Sequence, residues 1–188
     1  MAIHRLNHAV LYVRDIDRSV HFYRDVLGFH VVMTMAGRAA FLQAAGSTND
    51  HDLALFGLGD QAADSPAGRT SVGLYHLAWE VETLGDLEGL ASRLADSGAL
   101  VGATNHGSTK SLYGKDPDGL EFEVVWLIPA HLLTDDDVNA KSSIRPLELS
   151  KEIDRFGAST RGGLGISVPL GVQAPSAAVD NGSRASVL

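Results

Sequence analysis

The chain contains no cysteine, which excludes disulfides and thiolate metal sites, so any bound metal must rest on histidine and carboxylate. It lacks an apolar run approaching the length of a membrane span. Its opening residues, Met1 to His8, lack the basic-then-apolar order of a signal peptide. A cytoplasmic protein with no membrane partner is therefore expected. Cations are in short supply too: 15 Lys and Arg, scattered along the chain, face 23 Asp and Glu, for a net charge of −8. Phosphate recognition needs clustered Lys and Arg, so nucleic acid is not the expected partner. The acidic run Asp135-Asp136-Asp137 reads as a solvated connector.

What is present is ordinary for a soluble globular protein: 188 residues, 45% apolar and 20% charged. That is enough chain for one domain with a sizeable core, or one domain and a tail.

The chain repeats itself. Leu6-Asn7-His8-Ala9-Val10-Leu11-Tyr12-Val13 aligns with Leu74-Tyr75-His76-Leu77-Ala78-Trp79-Glu80-Val81. Both copies have the β-branched and aromatic density of a strand. Each leads into a helical pattern. In the first copy Ile16, Val20, Tyr23 and Leu27 lie on one stripe, with Asp15 or Asp17 as cap and Gly28 as stop. In the second, Leu87, Leu90, Ala91 and Leu94 form the stripe, Thr83 and Asp86 a capping box, and Gly98 the end.

Short strand-like runs follow each helix. They are 29–35, 39–44 and 53–58 in the first half, and 100–103, 110–113 and 120–128 in the second. The order βαβββ thus occurs twice, in modules at about 4–58 and 74–128 joined by the Gly-, Ala- and Ser-rich linker 59–73. The expected fold is α+β: two paired βαβββ modules forming a curved mixed sheet around a metal cavity, within a domain spanning 1–130. Residues 131–188 are expected to be a C-terminal extension, partly irregular, with one or two helical turns near 150–156.

The repeat places His8 and His76 at equivalent positions. If the modules pair about a pseudo-twofold axis, both imidazoles point into the space between them. On the last strand Phe122, Val124 and Trp126 share one face by the period of two, and Glu121, Glu123 and Val125 share the other. The first face suits a site beneath the helices, so Glu123 should look into the cavity. Either histidine alone would read as a hydrogen-bonded strand residue. Two at matched positions with a carboxylate on the closing strand instead suggest the 2-His-1-carboxylate set of non-haem Fe(II) oxygenases. His4, His21, His30 and His131 are assigned no role. The segment ending in Glu123 also carries His106 and Tyr113, and imidazole, phenol and carboxylate together suit an oxygen-handling metal site.

Over residues 4 to about 128 the chain resembles the vicinal-oxygen-chelate superfamily, built from paired βαβββ modules around one divalent metal. Within it the chain is most similar to one-domain type I extradiol ring-cleaving dioxygenases. Their terminal signature is matched by Thr104-x-His106, Leu112-Tyr113, Asp116-Pro117-Asp118-Gly119 and Glu123. A second match is His51-Asp52-Leu53-Ala54-Leu55-Phe56.

The resemblance implies His8, His76 and Glu123 as ligands to Fe(II), with Mn(II) as alternative. It implies His51 as acid–base catalyst and His106 and Tyr113 as catalytic groups beside the metal. It also implies a catechol-type substrate cleaved with O₂, as in aromatic hydrocarbon catabolism, and a homo-oligomer. Strict alternation would turn His51 away from Ala54, so His51 reaches the cavity only if it precedes the regular strand or sits at a bulge. The same superfamily offers other readings: a glyoxalase-like isomerase, a metal-dependent glutathione or thiol transferase, and a non-catalytic drug-sequestering protein. Ala54, at the position equivalent to Glu123, leaves three protein ligands instead of four and favours the oxygenase.

Overall fold

A computed structural model describes residue 3 and residues 5–68 and 70–163. Each half of the predicted repeat is present. The first module runs β1 (Ala9–Val13), α1 (Ile16–His21), a π-helical turn (Phe22–Val26), β2 (His30–Met35), β3 (Ala39–Gln43) and β4 (Leu53–Gly57). The second runs β5 (Leu77–Glu80), α2 (Leu84–Asp96), β6 (Leu100–Asn105), β7 (Thr109–Lys115) and β8 (Glu121–Leu127). Strand order is β1-β4-β3-β2 in one sheet and β5-β8-β7-β6 in the other, which β9 (Arg145–Pro146) extends at its β6 edge. In each sheet the first strand pairs parallel with the last and the remaining neighbours pair antiparallel. The α+β class and the paired modules are as expected. His8 and His76 differ slightly: each stands one residue before its strand.

Alternation sorts the side chains. On β1 Leu11 and Val13 are buried while Val10 and Tyr12 face out. On β8 Phe122, Val124 and Trp126 are buried beneath the helices, which frees Glu123 to face the other way. The Asp15 carboxylate caps α1 by accepting from the Arg18 amide. The widened π-helical turn lets the adjacent Phe22 and Tyr23 both enter the core. In α2 the Thr83–Asp86 capping box forms, and Leu84, Leu87, Leu90 and Leu94 bury one stripe. Gly28 and Gly98 end the helical segments at φ +84° and +70°.

One core spans both modules. The Phe22 and Phe122 ring centroids are 5.9 Å apart, and those of Phe29 and Trp79 are 5.0 Å apart. The Asp116-Pro117-Asp118-Gly119 turn acts as a latch between them. Asp118 accepts from the Arg14 amide and guanidinium and from Arg18. Asp116 accepts from the Tyr23 hydroxyl at 3.1 Å, and burial pushes its carboxyl above the usual range.

Beyond β8 the described part of the extension is built of short elements. It forms a 3₁₀ turn (Ala130–Leu132), α3 (Asp135–Asn139), a further 3₁₀ turn (Ala140–Ser142), β9 and α4 (Leu149–Phe156). The solvated-connector reading of residues 135–137 is corrected here. Those residues open α3, and Asp137 is buried, closing a capping box with Thr134 and accepting from the two terminal Arg155 guanidinium nitrogens at 2.8 and 2.6 Å. A charge run without pattern gives no hint of this, because the partner lies eighteen residues away. The expectation for residues 164–188 lies outside the described residues. Among the described residues no helix is long and apolar enough to cross a membrane.

Candidate functional site

The register gives the two modules matching positions. In the first, Val10 on β1 lies opposite Ala54 on β4; in the second, Ala78 on β5 lies opposite Glu123 on β8. His8 and His76 each stand two residues before the β1 or β5 member of that pair. Ala54 is therefore the structural counterpart of Glu123.

His76 and Glu123 are brought together, with Nε2 3.2 Å from Oε2. Two donors bound to one cation on perpendicular bonds of about 2.1 Å would be separated by about 3 Å. A nitrogen and a carboxylate oxygen are also donors that Fe(II) and Mn(II) accept. Nδ1 of His76 is buried without a protein partner among the described residues. His8 opens on the same cleft, of about 390 Å³, whose walls include Asn7, Asn49, Asp52, His76 and Trp79. Asn7 engages its Nδ1 at 2.7 Å, which leaves Nε2 as the donor available to a cation. Among the described residues, however, no three His, Asp or Glu side chains converge closely enough to hold a metal. The pair His76–Glu123 is preformed, and His8 stands at the other side of the cleft.

His51 precedes β4, and the tilt of its ring places it 4.5 Å from the His8 ring and 5.2 Å, edge-on, from Phe41. Phe41 pairs with Ala54, so the His51 ring packs against the β3 partner of the position equivalent to Glu123. Asp50 holds its Nδ1 at 2.9 Å. The loop carrying it is fixed by residues that the sequence reading passed over. Asn49 Nδ2 donates to the Asn7 carbonyl at 2.8 Å and to Asp52 at 2.7 Å, tying the His8 and His51 segments together. Asn49 and Asp52 beside a histidine are turn-forming residues, and that was the available signal.

Behind the carboxylate the polar chain continues. Tyr113, directly opposite Glu123 on β7, puts its hydroxyl 3.2 Å from Oε1 and 3.0 Å from His106 Nε2. Binding Oε1 there leaves Oε2 as the oxygen turned toward His76. Burial first, then the adjacent Glu123 carboxylate, pushes the Tyr113 phenol up to about 12. His106 Nδ1 meets the Ser143 carbonyl at 3.2 Å.

The sheet of the first module has different chemistry. Val10, Ala54, Phe41 and Met33 align across the first sheet, as do Tyr12, Phe56, Ala39 and Met35. Val10, Tyr12, Met33, Met35 and Phe56 are exposed. The exposed face of the first sheet is thus apolar, whereas the second module carries His76, Glu123, Tyr113 and His106.

The two βαβββ modules, each with a histidine one residue before its first strand, define the class of protein by their fold. Consistent with this, residues 5–124 match the model of the Glyoxalase/Bleomycin resistance protein/Dioxygenase superfamily, and the chain belongs to it. The chain is 38% identical over 118 residues to a protein named biphenyl-2,3-diol 1,2-dioxygenase 3 of Rhodococcus globerulus. That alignment covers 61% of this chain and 59% of the relative, so the chain spans little more than half of that relative's length. It is also 26% identical to a probable lactoylglutathione lyase of Vibrio cholerae serotype O1, over 70% of this chain and 96% of the lyase. Among solved structures, a glyoxylase/bleomycin resistance protein/dioxygenase domain from Frankia sp. EAN1pec superposes with a TM-score of 0.55 at 26% identity. It covers 66% of this chain and 92% of that one.

Proposed function

We propose that the protein is a non-haem, Fe(II)- or Mn(II)-dependent extradiol dioxygenase that opens the ring of a catechol with O₂. The observation that carries this reading is the register match of Ala54 with Glu123. An isomerase site with a carboxylate from each module needs a ligand where Ala54 stands. A set of His8, His76 and Glu123 leaves positions open for a chelating diol and for O₂. The similarity to a dioxygenase acting on a biphenyl diol supports the same choice.

The metal, held by His8, His76 and Glu123, would supply charge that favours a catecholate and a template that aligns diol and O₂. The remaining roles belong to the chain. His51, beside His8, takes the proton of the second hydroxyl and returns it later; imidazole suits both tasks near neutral pH. Tyr113 and His106 hold a hydrogen-bond donor and acceptor at the carboxylate. The apolar wall formed by Val10, Tyr12, Met33, Met35, Phe41 and Phe56 excludes water and accommodates an apolar substituent on the ring. Both atoms of O₂ enter the ring-opened acid.

The test is direct. Protein loaded anaerobically with Fe(II), then mixed with oxygen and catechol or biphenyl-2,3-diol, should turn yellow as the ring opens. No colour from either diol at verified metal occupancy sinks the reading. Formation of lactoylglutathione from methylglyoxal and glutathione in a parallel assay would point to the isomerase instead.

A further inference from the structure

The family match ends at residue 124, yet the polar chain through Glu123, Tyr113 and His106 does not end within it. Its last member is the main-chain carbonyl of Ser143, in the C-terminal extension. We propose that this carbonyl is a positioning group for the reaction, holding His106 in its Nδ1–H form with Nε2 aimed at Tyr113. The proposal rests on the dioxygenase reading only in giving His106 a part in turnover.

Three observations carry it. A carbonyl oxygen can only accept, so a ring nitrogen 3.2 Å from it must bear the hydrogen. Neutral His106 then offers a lone pair at Nε2, 3.0 Å from the Tyr113 hydroxyl. The single proton of that hydroxyl has an acceptor on either side, Glu123 or His106. Fixing one ring nitrogen through an outer partner is how metal sites commonly set the role of the other.

Second, the extension grips both neighbours of His106. Asn105 pairs with Arg145 on β9, and its Nδ2 donates to Glu152 at 2.9 Å. Gly107, at φ +76°, lies so close to α3 that an added Cβ would strike the Asp137 carbonyl and Ala140. Third, this grip is anchored from inside. Lys110 is fully buried, donates to Asn105 Oδ1 at 2.9 Å and the Gly107 carbonyl at 3.0 Å, and lies 3.3 Å from Glu152 on α4. The Asp137–Arg155 pair joins α3 to α4. The contact at His106 is therefore part of a braced unit.

The first experiment needs no variant. Long-range proton–nitrogen NMR of the full, metal-free chain labelled with ¹⁵N-histidine, about two pH units above the ordinary imidazole pKa, reports the tautomer of His106. Its signal is assigned by its loss in His106→Gln. The expected form is Nδ1–H, the reverse of what neutral imidazole favours in water. The second experiment replaces Ile144 by its α-hydroxy acid. This converts the Ser143 carbonyl into a weaker ester acceptor and changes no side chain; among the described residues the Ile144 amide makes no hydrogen bond. The ester should mix the tautomers and lower kcat about fivefold at unchanged KM. An Nε2–H form in the unmodified protein, or an ester that leaves tautomer or kcat unaltered, overturns the proposal. If the unmodified protein opens no ring, the dioxygenase reading falls, while the tautomer result still decides whether Ser143 sets His106.

Discussion

The two modules share a chain trace and differ in what they present to the space between them. At matched register the first offers Ala54 and the second Glu123. Around Ala54 lie Phe41, Phe56, Met33 and Tyr12, and around Glu123 lie His76, Tyr113 and His106. Their outer edges differ as well. β6 is covered by β9 and braced from α3 and α4, whereas β2 is exposed along its whole length. The repeat keeps its packing on the helical side and differs on the other; in the proposed function the first module's face binds and the second's does the chemistry.

Removing the carboxylate makes the second module like the first, and the largest loss is expected there. Glu123→Ala should abolish detectable metal binding and ring cleavage, since the His76 nitrogen loses the carboxylate that lies 3.2 Å away. Calorimetric titration with Mn(II) checks this without a turnover assay. Undiminished affinity would show that the metal is held elsewhere.

In the proposed function His51 is the first module's reactive contribution, and its removal should separate binding from chemistry. His51→Ala should retain the metal and slow turnover by roughly 10²–10⁴-fold. Metal loss in that variant would make His51 a ligand and require His8 to be reassigned. Phe56→Ser is expected to act more mildly, because Phe56 is 39% exposed and part of the apolar wall. It should raise KM for biphenyl-2,3-diol about tenfold and leave plain catechol nearly unchanged. Equal effects on the two substrates would mean that this wall does not receive the substituent.

Much of this comparison is legible in the sequence. The matched His8 and His76, the period-two face of Glu123 and the Thr83–Asp86 capping box are local patterns, and alternation fixes them within a few residues. His51 was ambiguous because strict alternation fails where a residue precedes the ladder, and its placement depends on Asn49 and Asp52 holding the loop. Two features had no sequence signal. Ser143 acts through its backbone oxygen, which any residue supplies. Asp137 reads as one of three equivalent acids until Arg155, a full helix away, singles it out. Pattern reports periodicity and spares nothing for contacts between distant segments.

The brace on the second module supplies the most selective effect, one that touches stability and leaves the cavity groups in place. Asp137 has a carboxylate 7% exposed. Burial alone would raise its pKa, but the hydrogen bonds from Arg155 and Thr134 outweigh it and hold the carboxyl well below the usual range. A depressed pKa contributes stability that is complete above the unfolded value, near 3.9, and is lost as pH falls through the folded one. Arg155→Ala removes the main cause and leaves a buried carboxylate half satisfied, at a cost of about 2–3 kcal/mol at neutral pH. The gap between wild type and variant in urea unfolding should therefore be full at pH about 7 and shrink below about 4. Hydrogen exchange locates the effect: amides of β6 and β9 should lose protection in the variant, while those of β3 and β4, in the module without such a brace, should not. Equal loss in both sheets would mean that the extension stabilises the domain as a whole, and the contrast between the modules would then stop at the cavity.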